Sequence, residues 1–153
     1  MQDQADYLVV GAGVFGLSTA RALLLRDPKL KVIVLEKEPE LGRHTSGRNS
    51  GVLHQGIYYP PQSLKAKFCI AGSRMIEEFC EEKKVPLNRI GKVILPLRES
   101  DDGQLDFLWR RARDNGADIQ SIYQTELRDL EPSAHSITGR ALYSPRTAVI
   151  DPL

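Results

Sequence analysis

Residues 6–36 read DYLVVGAGVFGLSTARALLLRDPKLKVIVLE, a pattern of strand, glycine turn, helix and second strand. Tyr7 to Val10 is a short apolar run that stops at Gly11, Gly13 and Gly16, spaced G-x-G-x-x-G. Each glycine has a separate job. Gly11 makes the tight turn out of the strand, Gly13 lets the backbone come close to a pyrophosphate, and Gly16 lets the following helix lie close on the strand. The helix N-terminus then offers unpaired N–H groups and a positive dipole end to a phosphate anion.

Three glycines in a surface loop produce the same spacing, so the context decides. Ala20, Leu23 and Leu24 give the helix an apolar face, and Asp27-Pro28 ends it. Val32 to Leu35 is a second apolar run without alternation, as expected of a parallel strand covered on both faces. It ends at Glu36, twenty residues after Gly16, where a Rossmann unit places an acid to accept a ribose hydroxyl. An acid there disfavours a 2′-phosphate, so the ligand is expected to be FAD or NAD rather than NADP. The fold class predicted is α/β, the N-terminal part of a Rossmann-type domain for FAD or NAD, with the start of an α+β substrate domain.

Composition narrows the remaining classes. The 153 residues are 41% hydrophobic, enough for a core, and the net charge of +1 gives no support for nucleic acid or an anionic membrane surface as the main partner. No apolar run approaches the roughly 20 residues of a membrane span. The six residues before the first strand carry no basic, apolar or cleavage region, so a cytoplasmic location is expected; peripheral association of a longer protein with a membrane stays open. Cys69 and Cys80 fall in one predicted helix, about 16 Å apart along its axis, too far for a disulfide. They read as buried apolar residues in a reducing compartment, with no metal spacing around them.

Residues 37–51, KEPELGRHTSGRNSG, form a loop by composition. The loop follows directly on the ribose acid and supplies hydroxyls, amides, Arg43 and Arg48 where further phosphate or sugar contacts are made. FAD, with its long ribityl chain and flavin ring, needs such a loop more than NAD does. Residues 52–66 continue as VLHQGIYYPPQSLKA, and Tyr58-Tyr59-Pro60-Pro61 cannot be helical.

The glycine fingerprint, HTSGRNSG and GVLHQGIYYPPQSLKAKFC together resemble the FAD-dependent oxidoreductases of the D-amino-acid-oxidase type, and within them the L-2-hydroxyglutarate dehydrogenase (oxidase) family. The N-S-G-V-x-H-x-G-x-Y-Y segment is the most specific part. The resemblance implies that Gly11, Gly13, Gly16, Glu36, Ser46, Asn49, Ser50 and Gly51 bind FAD. Arg48 stands where members of this type often carry histidine, and it could bind a phosphate or a substrate carboxylate. His54 is the candidate base, since imidazole titrates near neutral pH; its bland alternative is a structural histidine beside a glycine turn. His44 and His135 receive no role.

Beyond this point Ser63 is expected to cap a long helix running to about Lys84, with Leu64, Phe68, Ala71, Met75 and Phe79 as a core stripe and Glu77, Glu78, Glu81 and Glu82 on its solvated side. Lys92 to Leu97 reads as a strand. Asp101 to Asn115 reads as a helix, with Leu105, Leu108, Trp109 and Ala112 inward and Gly116 as its stop. Ile119 to Tyr123 is a strand, Thr125 caps a short helix ended by Glu131-Pro132, and Ala141 to Tyr143 is extended. Asp151-Pro152 has the form of a helix start, so the chain is expected to be the N-terminal part of a longer protein. Its dinucleotide half would be residues 1–60 and its excursion towards a substrate domain 61–153.

The expected function is oxidation of a 2-hydroxy acid, by resemblance L-2-hydroxyglutarate to 2-oxoglutarate, with quinone or oxygen as the electron acceptor. A related flavin oxidase acting on an amine, an amino acid or glycerol 3-phosphate is the alternative. A rival of another class is a non-catalytic dinucleotide-binding module, discriminated by the strands that would complete the flavin and substrate domains.

Overall fold

The computed structural model describes residues 4–152, which divide into two compact units, one reaching Ser50 and the other Gly51–Asp151. The division falls ten residues earlier than the sequence-based boundary at residue 60. The break comes where the loop ends, because Val52 already pairs with Val149 in a sheet of the second unit.

In the first unit, β1 (Tyr7–Val10) and β2 (Val32–Leu35) lie parallel in the register Tyr7↔Val32 to Val10↔Leu35. Helix α1 (Val14–Arg26) connects them. The crossover is the expected βαβ unit, although α1 starts at Val14, so Gly16 lies in its first turn rather than ahead of it. Asp27 ends α1 in an extended conformation, as Asp27-Pro28 predicts. Ala20 is buried and Val9, Val32 and Val34 are half-buried, whereas Leu8 is 58% and Val10 82% exposed. The strands carry apolar residues on both faces, as read, but only the α1 face is covered within this chain.

The second unit holds two antiparallel three-stranded sheets. One contains β3 (Val52–Leu53), β8 (Ala148–Ile150) and β4 (Leu87–Asn88), with β8 central; the other contains β5 (Lys92–Ile94), β7 (Arg140–Ser144) and β6 (Gln120–Tyr123), with β7 central. Successive residues of β7 point to opposite faces. Leu142 joins Ile57, Leu105, Ala112 and Ile119 under α3 (Asp102–Asp114), while Ala141 joins Ile122 and Leu127 under α4 (Gln124–Leu130). Burying Leu142 and Leu127 contributes roughly 1.5 to 3 kcal/mol each, and both are essentially inaccessible. Arg140 bridges Asp102 and Asp106, tying β7 to α3.

Three local expectations change. The strand at Lys92 ends at Ile94 rather than Leu97. The short helix α4 is capped by Tyr123, whose N–H donates to Glu126, so Thr125 lies inside it. The larger correction concerns α2 (Leu64–Lys83), which Ser63 caps by accepting from Ala66 N–H. Its supposed core stripe is outside: Leu64 is 68%, Phe68 71% and Met75 66% exposed. The buried positions are Ala66, Ser73, Glu77 and Cys80. Glu77, expected in solvent, is buried because it pairs with Arg146 at 2.6 Å and lies 3.7 Å from Arg89. Periodicity identifies an apolar face without saying what covers it, and here the small, polar face is the one this chain covers. The reading of Asp151-Pro152 as a helix start extends to Leu153, outside the described residues.

Candidate dinucleotide and proton-transfer sites

The glycine turn is built around two side chains from later in the chain. Gly11 has φ +98°, a conformation that favours glycine, and its N–H donates to the Leu35 carbonyl at 2.7 Å. Glu36, one residue on, accepts from Ala12 N–H at 2.7 Å through Oε2 and from Glu38 N–H at 3.1 Å through Oε1. These backbone donors, Ala12 first, hold the carboxyl below its ordinary value of 4.5, so Glu36 is an anion at neutral pH. Each carboxylate oxygen has a second lone pair for a sugar hydroxyl.

Ser46, in a single 3-10 turn at Thr45–Gly47, accepts from Val14 N–H at 2.9 Å. Its hydroxyl thus caps the first residue of α1 from thirty-two residues away. A Cβ on Gly13 would stand 2.9 Å from Ser46 Oγ, and one on Gly16 would lie inside the carbonyl oxygen of Gly11. Gly11 thus turns the chain at positive φ, Gly13 makes room for Ser46, and Gly16 lets the backbone of α1 pack against the Gly11 carbonyl. Asn49 Nδ2 donates to the Ser46 carbonyl at 2.7 Å, which fixes that turn.

Gly11, Gly13, Glu36 and Ser46 line one cleft of about 620 Å³, together with Val10, Leu35, Lys37, Gly42, Arg43 and His44. That volume suits a ligand of nucleotide size. Gly16 packs beneath the turn, and Asn49 supports Ser46 from behind. Ser50, Gly51 and Arg48 are not among the lining residues; Gly51 has φ +64° and its carbonyl accepts from Ile150 N–H. Sequence reading missed His44, which lines the cleft with its ring 2.9 Å from Glu38; the only signal was its place in the loop after Glu36.

In the second unit His54 borders a recess of about 60 Å³ lined also by Gln55, Gly56, Ile57, Tyr58, Tyr59, Lys92 and Thr147. The recess has room for water but not for a carboxylic acid substrate. Partial burial, then the Lys92 ammonium, lowers the pKa of His54 from its ordinary 6.5, leaving a neutral imidazole able to accept a proton at neutral pH. Cys69 donates its thiol to the His54 carbonyl at 3.3 Å. Both cysteines are free, Cys80 buried and Cys69 half-buried. No group of His, Cys, Asp and Glu among the described residues has a metal-binding arrangement.

Residues 6–153 match the FAD dependent oxidoreductase (DAO) family. The chain belongs to that family. Among curated proteins it is 45% identical over 147 residues to the L-2-hydroxyglutarate dehydrogenase, mitochondrial, of Caenorhabditis elegans, covering 95% of this chain and 34% of that protein. It is 39% identical to the protein of the same name from Homo sapiens, of which 31% is covered. Among solved structures it matches the dithionite-reduced L-alpha-glycerophosphate oxidase of Mycoplasma pneumoniae with FAD bound, at a TM-score of 0.83 and 34% identity, over 97% of this chain and 39% of that one. This family member spans about a third of the length of the curated relatives it matches. FAD is the family's cofactor, and the cleft fits it on its own chemistry: the Glu36 carboxylate, a hydroxyl on the helix N-terminus and glycines where a backbone must lie bare. No helix of the described residues is long and apolar enough to cross a membrane.

Proposed function

We propose that this chain contributes the nucleotide cleft and the proton acceptor to an FAD-dependent enzyme that oxidises L-2-hydroxyglutarate to 2-oxoglutarate. The observation that carries the reading is the cleft at Gly11–Gly16, Glu36 and Ser46, joined to 39–45% identity with proteins named for that substrate. The activity belongs to a protein of the relatives' full length, the family-length protein.

In that protein Glu36 would accept hydroxyls of the adenosine ribose. Ser46, which already accepts from Val14 N–H, retains its own proton for a phosphate oxygen. The N–H groups of the first turn of α1 add an anion-favouring end. When bound, FAD supplies the hydride acceptor at flavin N5. His54 accepts the proton of the C2 hydroxyl; as the C2–H bond releases its electron pair with the hydrogen, C2=O forms, so the 2-hydroxy acid loses one hydride and one proton. We also assign Asn49, Ser50 and Gly51 to the flavin loop and Arg48 to a phosphate or carboxylate contact. The electron acceptor is a quinone or oxygen, and the free thiols suit a reducing compartment such as the cytoplasm; the relatives are named mitochondrial.

A second reading, oxidation of glycerol 3-phosphate, is favoured by the 34% identity with the glycerophosphate oxidase. A dye-reduction assay separates the two. The family-length protein should reduce an artificial acceptor with L-2-hydroxyglutarate and not with its D enantiomer, because the hydride leaves from one face of C2. Reduction with glycerol 3-phosphate alone would move the assignment to the second reading.

A further inference from the structure

The stretch His54–Tyr59 has no regular hydrogen-bonded structure across most of its length, yet four of its carbonyls are held by side chains from distant helices. Asn115, at the C-terminal cap of α3, donates through one Nδ2 to Gly56 O at 2.9 Å and to Tyr59 O at 2.8 Å. Arg111 donates through Nη1 to Tyr58 O at 3.0 Å, and Cys69 in α2 holds His54 O. Both Asn115 partners are carbonyl oxygens, which only accept, so the amide must present its nitrogen to them.

Arg111 and Asn115 are four residues apart and so share one face of the last turn of α3. The last carbonyls of α3 accept from the N–H groups of Asn115, Gly116 and Ala117, which leaves the Arg111 and Asn115 side chains to donate to the loop. The lining side chains are braced as well, with Lys92 over the Tyr58 ring at 4.7 Å and Lys65 over the Tyr59 ring at 4.6 Å.

We propose that Asn115, assisted by Arg111, is a positioning residue that sets the conformation of the 54–59 loop and through it the aim of the His54 imidazole. This inference rests on the reading of His54 as proton acceptor. Fixing a short loop matters because a misplacement of about 1 Å at a reacting group costs roughly 100-fold in rate.

The test is a double-mutant cycle in the family-length protein, with anaerobic flavin reduction by L-2-hydroxyglutarate measured per bound flavin. Asn115→Ala should slow reduction roughly tenfold or more at saturating substrate, and amide hydrogen exchange across 54–59 should rise. In the His54→Gln background the same change should cost less than about twofold, since nothing remains for it to position. Arg111→Ala, which removes one bond at the exposed edge of the loop, should act in the same direction with a smaller effect and serves if Asn115→Ala does not fold. Wild-type reduction rates per flavin in Asn115→Ala, or in Arg111→Ala if only that variant folds, would overturn the inference while His54→Gln remained slow. Equal losses in both backgrounds would overturn it too, by showing an effect independent of His54. If His54→Gln itself reduced flavin at the wild-type rate, the proton-acceptor reading would fall first and the inference with it.

Discussion

Glu36 shows what a single side chain contributes. Its carboxylate holds the glycine turn and, in the function proposed, would also accept a ribose hydroxyl, so replacing it by alanine should weaken FAD binding in the family-length protein roughly tenfold or more. Isothermal titration of the apoprotein measures this. The pH dependence has a definite sign. Because the folded value lies below the ordinary 4.5, the contribution of the anion is complete above pH 4.5 and is lost as pH falls through the lowered value. FAD affinity should therefore hold from neutral pH past 4.5 and drop only as pH falls through the lowered value, and Glu36→Gln should remove that acid dependence. His54 makes the same demand on protonation, since only its deprotonated, neutral form accepts a proton. With its pKa pulled below 6.5 by burial and Lys92, the acid limb of kcat/KM should lie below pH 6.5 and vanish in His54→Gln; a limb above 6.5 would contradict the assignment.

At the scale of elements, α2 separates what a sequence shows from what it does not. Its limits were legible because Ser63 is a local cap and the apolar spacing is helical. Its orientation was not, because Glu77 reads as one acid among several until Arg146, sixty-nine residues later, arrives beside it. Removing that partner with Arg146→Ala should destabilise the second unit by about 2 kcal/mol, less than the roughly 3 to 5 kcal/mol of a fully buried pair, because Arg146 keeps 46% exposure. Denaturant unfolding of the family-length protein checks it through a lowered midpoint with an unchanged slope. The same distinction runs through the candidate sites. The β1, glycine turn, α1, β2 and Glu36 series was readable because strand period, turn chemistry and the acid's spacing are all local. The Ser46 cap on Val14 and the Asn115 bonds to Gly56 and Tyr59 were not, since each joins residues brought together only by the folded chain.

Across the whole molecule, the bare face of the β1–β2 pair is the dominant physical fact. Leu8 and Val10 on one strand, with Ile33 at 39% and Leu35 at 50% exposure on the other, form an apolar surface beside unpaired strand edges. The α2 stripe adds Leu64, Phe68 and Met75. Residues 1–153 expressed alone should consequently self-associate, bind a hydrophobic dye and hold FAD weakly or not at all; a monomeric, cooperatively melting protein with stoichiometric FAD would show that this much chain closes its own core. An anaerobic absorbance titration of the family-length protein shows whether the cleft and His54 serve oxidation of a 2-hydroxy acid by FAD. Adding L-2-hydroxyglutarate should bleach the oxidised flavin band and yield one 2-oxoglutarate per flavin. A flavin that stays oxidised with L-2-hydroxyglutarate and bleaches with glycerol 3-phosphate or an amino acid would contradict it.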